Sequence, residues 1–93
     1  MRQAMVERQV QIVNRLGLHA RAAAKLVHMA ASFGCEVSLV HDGDRVDAKS
    51  ILGILQLGAC QGTEIAIACD GRDEEQAVDA ITELIADRFG EDS

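Results

Sequence analysis

The 93-residue chain is one domain's worth of protein, with a stability expected near ~5–10 kcal/mol. It has two Phe, no Tyr, no Trp and no Pro, so its core must be aliphatic, and its net charge of −6 argues against general nucleic-acid binding. Its longest apolar runs fall far short of the ~20 residues of a membrane helix, and Met1 is followed by no signal-type segment.

Val6, Val10 and Ile12 recur on one face of a period-two segment, with Glu7, Gln9 and Gln11 opposite, which predicts a first strand. Asn14 to Leu18 form a loop. From Ala20 to Phe33 the period becomes helical: Ala20, Ala23, Ala24, Val27, Ala30 and Ala31 make an apolar stripe, widened by Leu26, Met29 and Phe33. Arg21, Lys25, His28 and Ser32 lie opposite, and Gly34 is the expected stop. Cys35, Val37 and Leu39 alternate as a second strand, with Glu36 and Ser38 facing outward. Asp42-Gly43 is a hairpin turn, and Arg45 to Ala48 return as a third strand. Ser50 opens a short helix, Ile51 to Leu57, closed by Gly58. Gly62 marks a turn. Ile65, Ile67 and Cys69 then alternate with Ala66 and Ala68 as a fourth strand. Asp73 caps the last helix, with Gln76 spaced to complete a capping box. Ala77, Val78, Ile81, Leu84, Ile85 and Phe89 supply its buried face, Gly90 ends it, and the tail beyond is expected to fray. The order is β-α-β-β-α-β-α in a single domain, residues 1–93, ordered from about 5 to 90. The hairpin makes at least part of the sheet antiparallel, and the helices must bury their stripes on one side of it.

Charge is unevenly spread. Residues 1–69 carry seven basic and six acidic groups, a net of +1, and residues 70–93 carry two basic and nine acidic groups, a net of −7. His19 lies in the half that is not acidic, an arrangement able to steer an acidic partner to one face. Cys35, Cys60 and Cys69 are odd in number and lack metal-type pairing, so all three are expected as small buried hydrophobes in a reducing cytoplasm. No metal site is expected. His28 and His41 have no matching ligands or carboxylate dyads and are expected at the surface.

The chemistry concentrates in Gly17-Leu18-His19-Ala20-Arg21. A histidine there meets the unpaired N–H groups and positive dipole end of the alanine-rich helix, a natural anion site. Arg21 adds a full charge. An imidazole nitrogen attacks phosphorus only when unprotonated, and the helix N-terminus and Arg21 both disfavour the imidazolium. Transfer of a phosphoryl group depends mainly on positioning and charge neutralisation, which Arg21 and the backbone N–H groups of Ala20, Arg21 and Ala22 can supply. The sequence contains no nucleotide-binding glycine loop, so the phosphate is expected from a protein donor.

Gly17-Leu18-His19-Ala20-Arg21 and Lys49-Ser50-Ile51-Leu52-Gly53-Ile54-Leu55, with their separation, the element order and the length, resemble the two signatures of the HPr family, the histidine-containing phosphocarriers of the bacterial phosphoenolpyruvate-dependent phosphotransferase system. The resemblance spans residues 5 to 90. It implies an α+β open-faced sandwich, a four-stranded antiparallel sheet with three helices packed on one face. It implies that His19 is the phosphohistidine, accepting at Nδ1 from phosphorylated enzyme I and passing the group to an EIIA-type acceptor. Such a protein is a stoichiometric relay, cytoplasmic and monomeric, with no cofactor and no membrane insertion of its own. Ser50 reads as an N-cap, and the resemblance adds regulatory phosphorylation by HPr kinase/phosphorylase. Lys25, Lys49, Ile51, Leu52, Leu55 and Gln56 are implied at or near the partner-binding patch, although the aliphatic ones also suit a core. One position departs from the family, which usually has proline directly after the arginine, where this chain has Ala22. Two other functions fit the residues: a nitrogen-related regulatory phosphocarrier, echoed by the acidic ending Phe89-Gly90-Glu91-Asp92, and a ferredoxin-like ligand-binding or interaction module whose His19 is never phosphorylated.

Overall fold

The structure, a computed structural model, describes residues 5–93. Four strands, β1 (Val6–Gln11), β2 (Glu36–His41), β3 (Asp44–Asp47) and β4 (Glu64–Asp70), form one antiparallel sheet in the order β1-β4-β2-β3. Helices α1 (Ala20–Ala31), α2 (Ile51–Leu57) and α3 (Glu74–Ala86) supply the second layer, and a 3-10 turn, Arg88–Gly90, follows α3. This is the expected open-faced α+β sandwich. The core is aliphatic: Ile12, Val37, Leu39, Ile65, Ile67 and Cys69 from the sheet side meet Leu26, Ile54, Val78, Ile81 and Ile85 from the helices. Each large aliphatic buried this way contributes about 1.5–3 kcal/mol.

Central strand β4 is buried on both faces. Ala66 and Ala68 point to the outer face, yet they are only 7% and 2% exposed. Their methyl groups are small, and the longer neighbours paired beside them, Gln9 and Val40 about Ala66, Glu7 and Ser38 about Ala68, close over them. The β2–β3 hairpin turns at Asp42 (φ 52°) and Gly43 (φ 87°), the two left-handed residues of a type I′ turn.

Four local expectations are corrected. The buried face of α1 is Ala22, Ala23, Leu26 and Ala30, while Ala20, Ala24 and Ala31 are exposed. Alanines on both faces leave the stripe ambiguous, and the largest side chain, Leu26, sets the helix rotation. Gly34 does not cap α1. Ser32 does, and its Oγ donates to the Met29 carbonyl at 2.6 Å. The Asp73–Gln76 capping box does not form. Asp73 is the N-cap of α3 by position, but its carboxylate reaches across to accept the Gly34 and Cys35 N–H groups at 2.9 and 3.0 Å. The Gly34 bond chiefly holds its carboxyl below the ordinary range, and the Cys35 bonds add to this. Cys35 and Cys69 are buried as expected, and burial pushes the Cys69 thiol up to about 12. Cys60 is exposed, at the turn that packs on Gly17.

The two ends of α2 are tied differently. At its start Lys49 Nζ donates to the Phe33 carbonyl (2.9 Å), just past the C-terminus of α1, and at its end Leu18 N donates to the Ala59 carbonyl (3.0 Å), next to His19. Helix α2, seven residues and about 10 Å long at 1.5 Å each, therefore runs back along α1 toward the His19 loop.

Candidate functional site

His19 is the N-cap of α1, with extended backbone (φ −74°, ψ 176°). Its carbonyl opens the helix by accepting Ala23 N at 2.8 Å, and its side chain makes no cap bond. The N–H groups of Ala20, Arg21 and Ala22 thus have no acceptor among the described residues. Ala20 and Arg21 are exposed, whereas Ala22 is wholly buried, so the outer two donors are open to an anion and the third is closed off. Arg21 extends into solvent without a hydrogen bond or ion pair among the described residues, which leaves its guanidinium available to an incoming phosphoryl group.

The loop before His19 is pinned from beneath. Gly17 is left-handed (φ 65°), and a Cβ there would lie 2.7 Å from the Ala59 carbonyl oxygen and from Cys60 Cα. Asn14 is fully buried, and its Nδ2 donates to the Gly17 carbonyl (2.8 Å) and to Glu91 Oε1 (3.0 Å); its Oδ1 is buried with no partner among the described residues.

Beyond α3 the chain is held as far as Glu91. After α3 the chain takes three consecutive left-handed conformations, Arg88 (φ 57°), Phe89 (φ 56°) and Gly90 (φ 78°). Each non-glycine residue held so costs about 1–3 kcal/mol and persists only when its surroundings over-determine it. Here Phe89 is buried to 1% exposure, Lys25 Nζ donates to its carbonyl at 2.6 Å, and Glu91 comes to rest with Oε2 2.5 Å from His19 Nε2. Phe89 thus belongs to this hook and not to α3. The side chains of His19 and Glu91 are 27% and 16% exposed. The hydrogen bond to His19, then that to Asn14, holds the Glu91 carboxyl below the ordinary range. The acidic half of the chain therefore reaches the histidine directly, contrary to the separation read from the charge distribution. Only the acidic composition of the ending hinted at it.

The remaining residues sort by exposure and by place in the fold. Ile51 (44%), Leu52 (67%) and Leu55 (39%) are exposed, as is Gln56, while Ile54 takes the core-facing side of α2. Leu16, in the His19 loop, is 60% exposed, an apolar site residue that the sequence reading left in an unremarked loop. Lys25, the sixth residue of α1, reaches the hook that carries Glu91 through its bond to the Phe89 carbonyl. Lys49 and Ser50 sit at the opposite end of α2, so Lys49 does not rim His19: its ammonium is spent on the Phe33 carbonyl. Ser50 Oγ accepts Gly53 N–H at 3.1 Å, the expected cap. His28 is exposed, and His41 Nδ1 lies 3.2 Å from the Glu64 carbonyl. The described residues hold no cluster of three or more His, Cys, Asp or Glu able to bind a metal, and no helix among them is long and apolar enough to cross a membrane.

Comparison with known proteins agrees with this arrangement. Residues 6–87 match the family PTS-HPr, described as the PTS HPr component phosphorylation site. The phosphocarrier protein HPr of Cupriavidus necator is 48% identical over 87 residues, covering 94% of this chain and 98% of that protein. The phosphocarrier protein HPr of Xylella fastidiosa is 46% identical over 89 residues, covering 96% and 100%. Among solved structures, HPr-C-His from Thermoanaerobacter tengcongensis superimposes with a TM-score of 0.92 at 41% identity, covering 95% of this chain and 99% of that one.

Proposed function

The chain belongs to the HPr family, phosphocarriers of the phosphotransferase system, and from that premise we propose that His19 accepts a phosphoryl group from phosphorylated enzyme I and delivers it to an EIIA-type acceptor. The observation that carries this is the setting of His19: a half-buried imidazole at the N-terminus of α1, beside two solvent-open N–H donors and an uncommitted Arg21. With Nε2 against Glu91, the nitrogen left for phosphorus is Nδ1, the atom that the family resemblance implies. In the forward step the Nδ1 lone pair forms the P–N bond while the bond from phosphorus to the donor breaks, its electron pair leaving with the donor. The return step reverses this, with the acceptor supplying the nucleophile and the electron pair going back to Nδ1. Arg21 and the Ala20 and Arg21 N–H groups neutralise the equatorial oxygens as charge shifts across the loose transition state.

Ile51, Leu52 and Leu55 on α2 and Leu16 in the His19 loop are exposed aliphatic side chains, suited to transient docking of the donor and acceptor proteins. Ser50 lies at the N-terminus of the helix that carries three of them. A phosphate there places nearly two negative charges at the edge of the docking surface, opposing an acidic partner without touching His19. Incubation with enzyme I and phosphoenolpyruvate, followed by mapping of acid-labile phosphate, tests the assignment. Label is expected on His19 and lost in His19→Ala; a histidine still labelled in that variant overturns it. Parallel assays with sugar-type and nitrogen-type acceptors identify which receives the phosphate.

A further inference from the structure

We propose that Lys25 is a positioning residue of the phosphocarrier site and not a docking cation: its ammonium straps the end of the chain onto α1. This rests on His19 being the phosphorylated residue. The family resemblance puts Lys25 at or near the partner-binding patch, where its charge would face an incoming acidic protein. In the fold that charge is spent inward, with Nζ donating to the Phe89 carbonyl at 2.6 Å across 64 positions of sequence. A charge-assisted bond of this kind is roughly twice as strong as a neutral one.

The strap completes the hydrogen bonding of the hook. Of its successive carbonyls, Asp87 accepts Gly90 N–H at 3.0 Å and Arg88 accepts Glu91 N–H at 2.9 Å, both bonds made within the hook. The next, Phe89, takes its hydrogen from Lys25 on α1. Remove that donor, and the left-handed conformations of Arg88 and Phe89 lose part of what over-determines them. A Cβ on Gly90 would lie 3.6 Å from Lys25 Nζ, so the ammonium packs against the residue that turns the chain toward Glu91.

Lys25 shares a helix face with Arg21 and Ala22, four and three positions before it in α1. One side chain thus ties the helix whose N-terminus receives the phosphoryl group to the segment that ends in Glu91. The hydrogen bonds from His19 and Asn14 lower the Glu91 carboxyl most, and the Lys25 charge adds to them, which keeps that carboxylate ionised where the hook sets it down. Lys25 acts on the imidazole only through the hook. Its loss therefore changes how the ring is held and leaves the surface that meets enzyme I as it was, and a shift of about 1 Å in such a geometry can cost as much as 100-fold in rate.

The test uses the full chain. Lys25→Met keeps the aliphatic stem and removes the donor, and Lys25→Arg keeps a charged donor. In phosphate acceptance from phosphorylated enzyme I, Lys25→Met should lower the rate at saturating donor about tenfold and leave KM within about twofold. Its Gly90 and Glu91 amides should exchange with deuterium about tenfold faster. Lys25→Arg should stay within about threefold of the parent in rate. In a Glu91→Ala background, Lys25→Met should cost less than about twofold more, because residues that act through one contact are not additive. A docking cation behaves oppositely: KM rises, the saturating rate holds, and the effect fades with added salt. That pattern overturns the proposal, as does a tenfold loss that persists beside Glu91→Ala, a parental rate in Lys25→Met, or hook amides that exchange as in the parent. A parent protein labelled at a residue other than His19 overturns the phosphocarrier assignment instead, a result read before any Lys25 variant is compared.

Discussion

Replacing Gly17 with alanine tests whether the His19 loop is seated as tightly on the α2–β4 turn as the geometry states. The added methyl faces two penalties. At φ 65° a non-glycine residue costs about 1–2 kcal/mol. Its Cβ would also lie 2.7 Å from the Ala59 oxygen and Cys60 Cα, both backbone atoms that move only if the turn does. Opening that contact to ordinary separation pulls on the Leu18 N to Ala59 O hydrogen bond, 3.0 Å long, whose loss adds about 1 kcal/mol. The sum is about 2–3 kcal/mol before other packing is disturbed, a large part of the ~5–10 kcal/mol of such a domain. At about 4–8 °C per kcal/mol, Tm should drop by roughly 10–20 °C. Gly43→Ala is the matched control: it has φ 87° but nothing within 4 Å of its Cβ, so it should show the conformational penalty alone. Calorimetry with urea unfolding measures both, and m should stay unchanged. If Gly17→Ala costs no more than Gly43→Ala, the close seating of the loop is refuted.

Ala22→Pro should leave phosphotransfer within about tenfold of the parent, because the N–H that proline removes is buried and a first-turn proline needs no intrahelical donor; a loss beyond a hundredfold in single-turnover transfer would show that this N–H serves the phosphate. Leu52→Ala, at a side chain 67% exposed, should change stability by less than about 0.5 kcal/mol, while raising KM for enzyme I-dependent phosphorylation about tenfold if the exposed aliphatic side chains dock partners; an unchanged KM removes Leu52 from the interface. Asp73 has a folded pKa depressed below its ordinary 3.8, chiefly by the Gly34 N–H, so its stabilising contribution is complete above the unfolded value and is lost as pH falls through the folded one. Asp73→Asn should therefore flatten the acid limb of stability against pH below about 4, and an acid limb identical to the parent's in urea titrations would contradict that linkage.

Much of this protein was settled by local pattern. Alternation in Val6 to Ile12 and in Cys35 to Leu39, the left-handed turn at Asp42-Gly43 and the Ser50 cap on Ile51–Leu57 each stand where their own residues put them, because neighbours within four positions decide them. The placing of His19 at a helix N-terminus is of the same kind. Tertiary structure decided what local residues left balanced. Alanines on both sides of α1 could not fix its rotation until Leu26 met the core. Asp73 had a local cap within reach and spent its carboxylate on Gly34 and Cys35, a choice created only when α1 and α3 pack together. The largest difference is at the end of the chain. Residues 88–90 read as the last turn of α3, with Phe89 on its buried face and only the residues beyond Gly90 as a tail, because a left-handed Arg-Phe pair is unfavourable by itself and has no local signature. Burial of Phe89 and the bonds from Lys25 and Asn14 outweigh that cost, and they carry Glu91 across 72 positions of sequence to the imidazole. The sequence alone determined which residue takes the phosphoryl group in the function proposed; folding determined which carboxylate stands behind it, since that pairing exists only between segments brought together by the core.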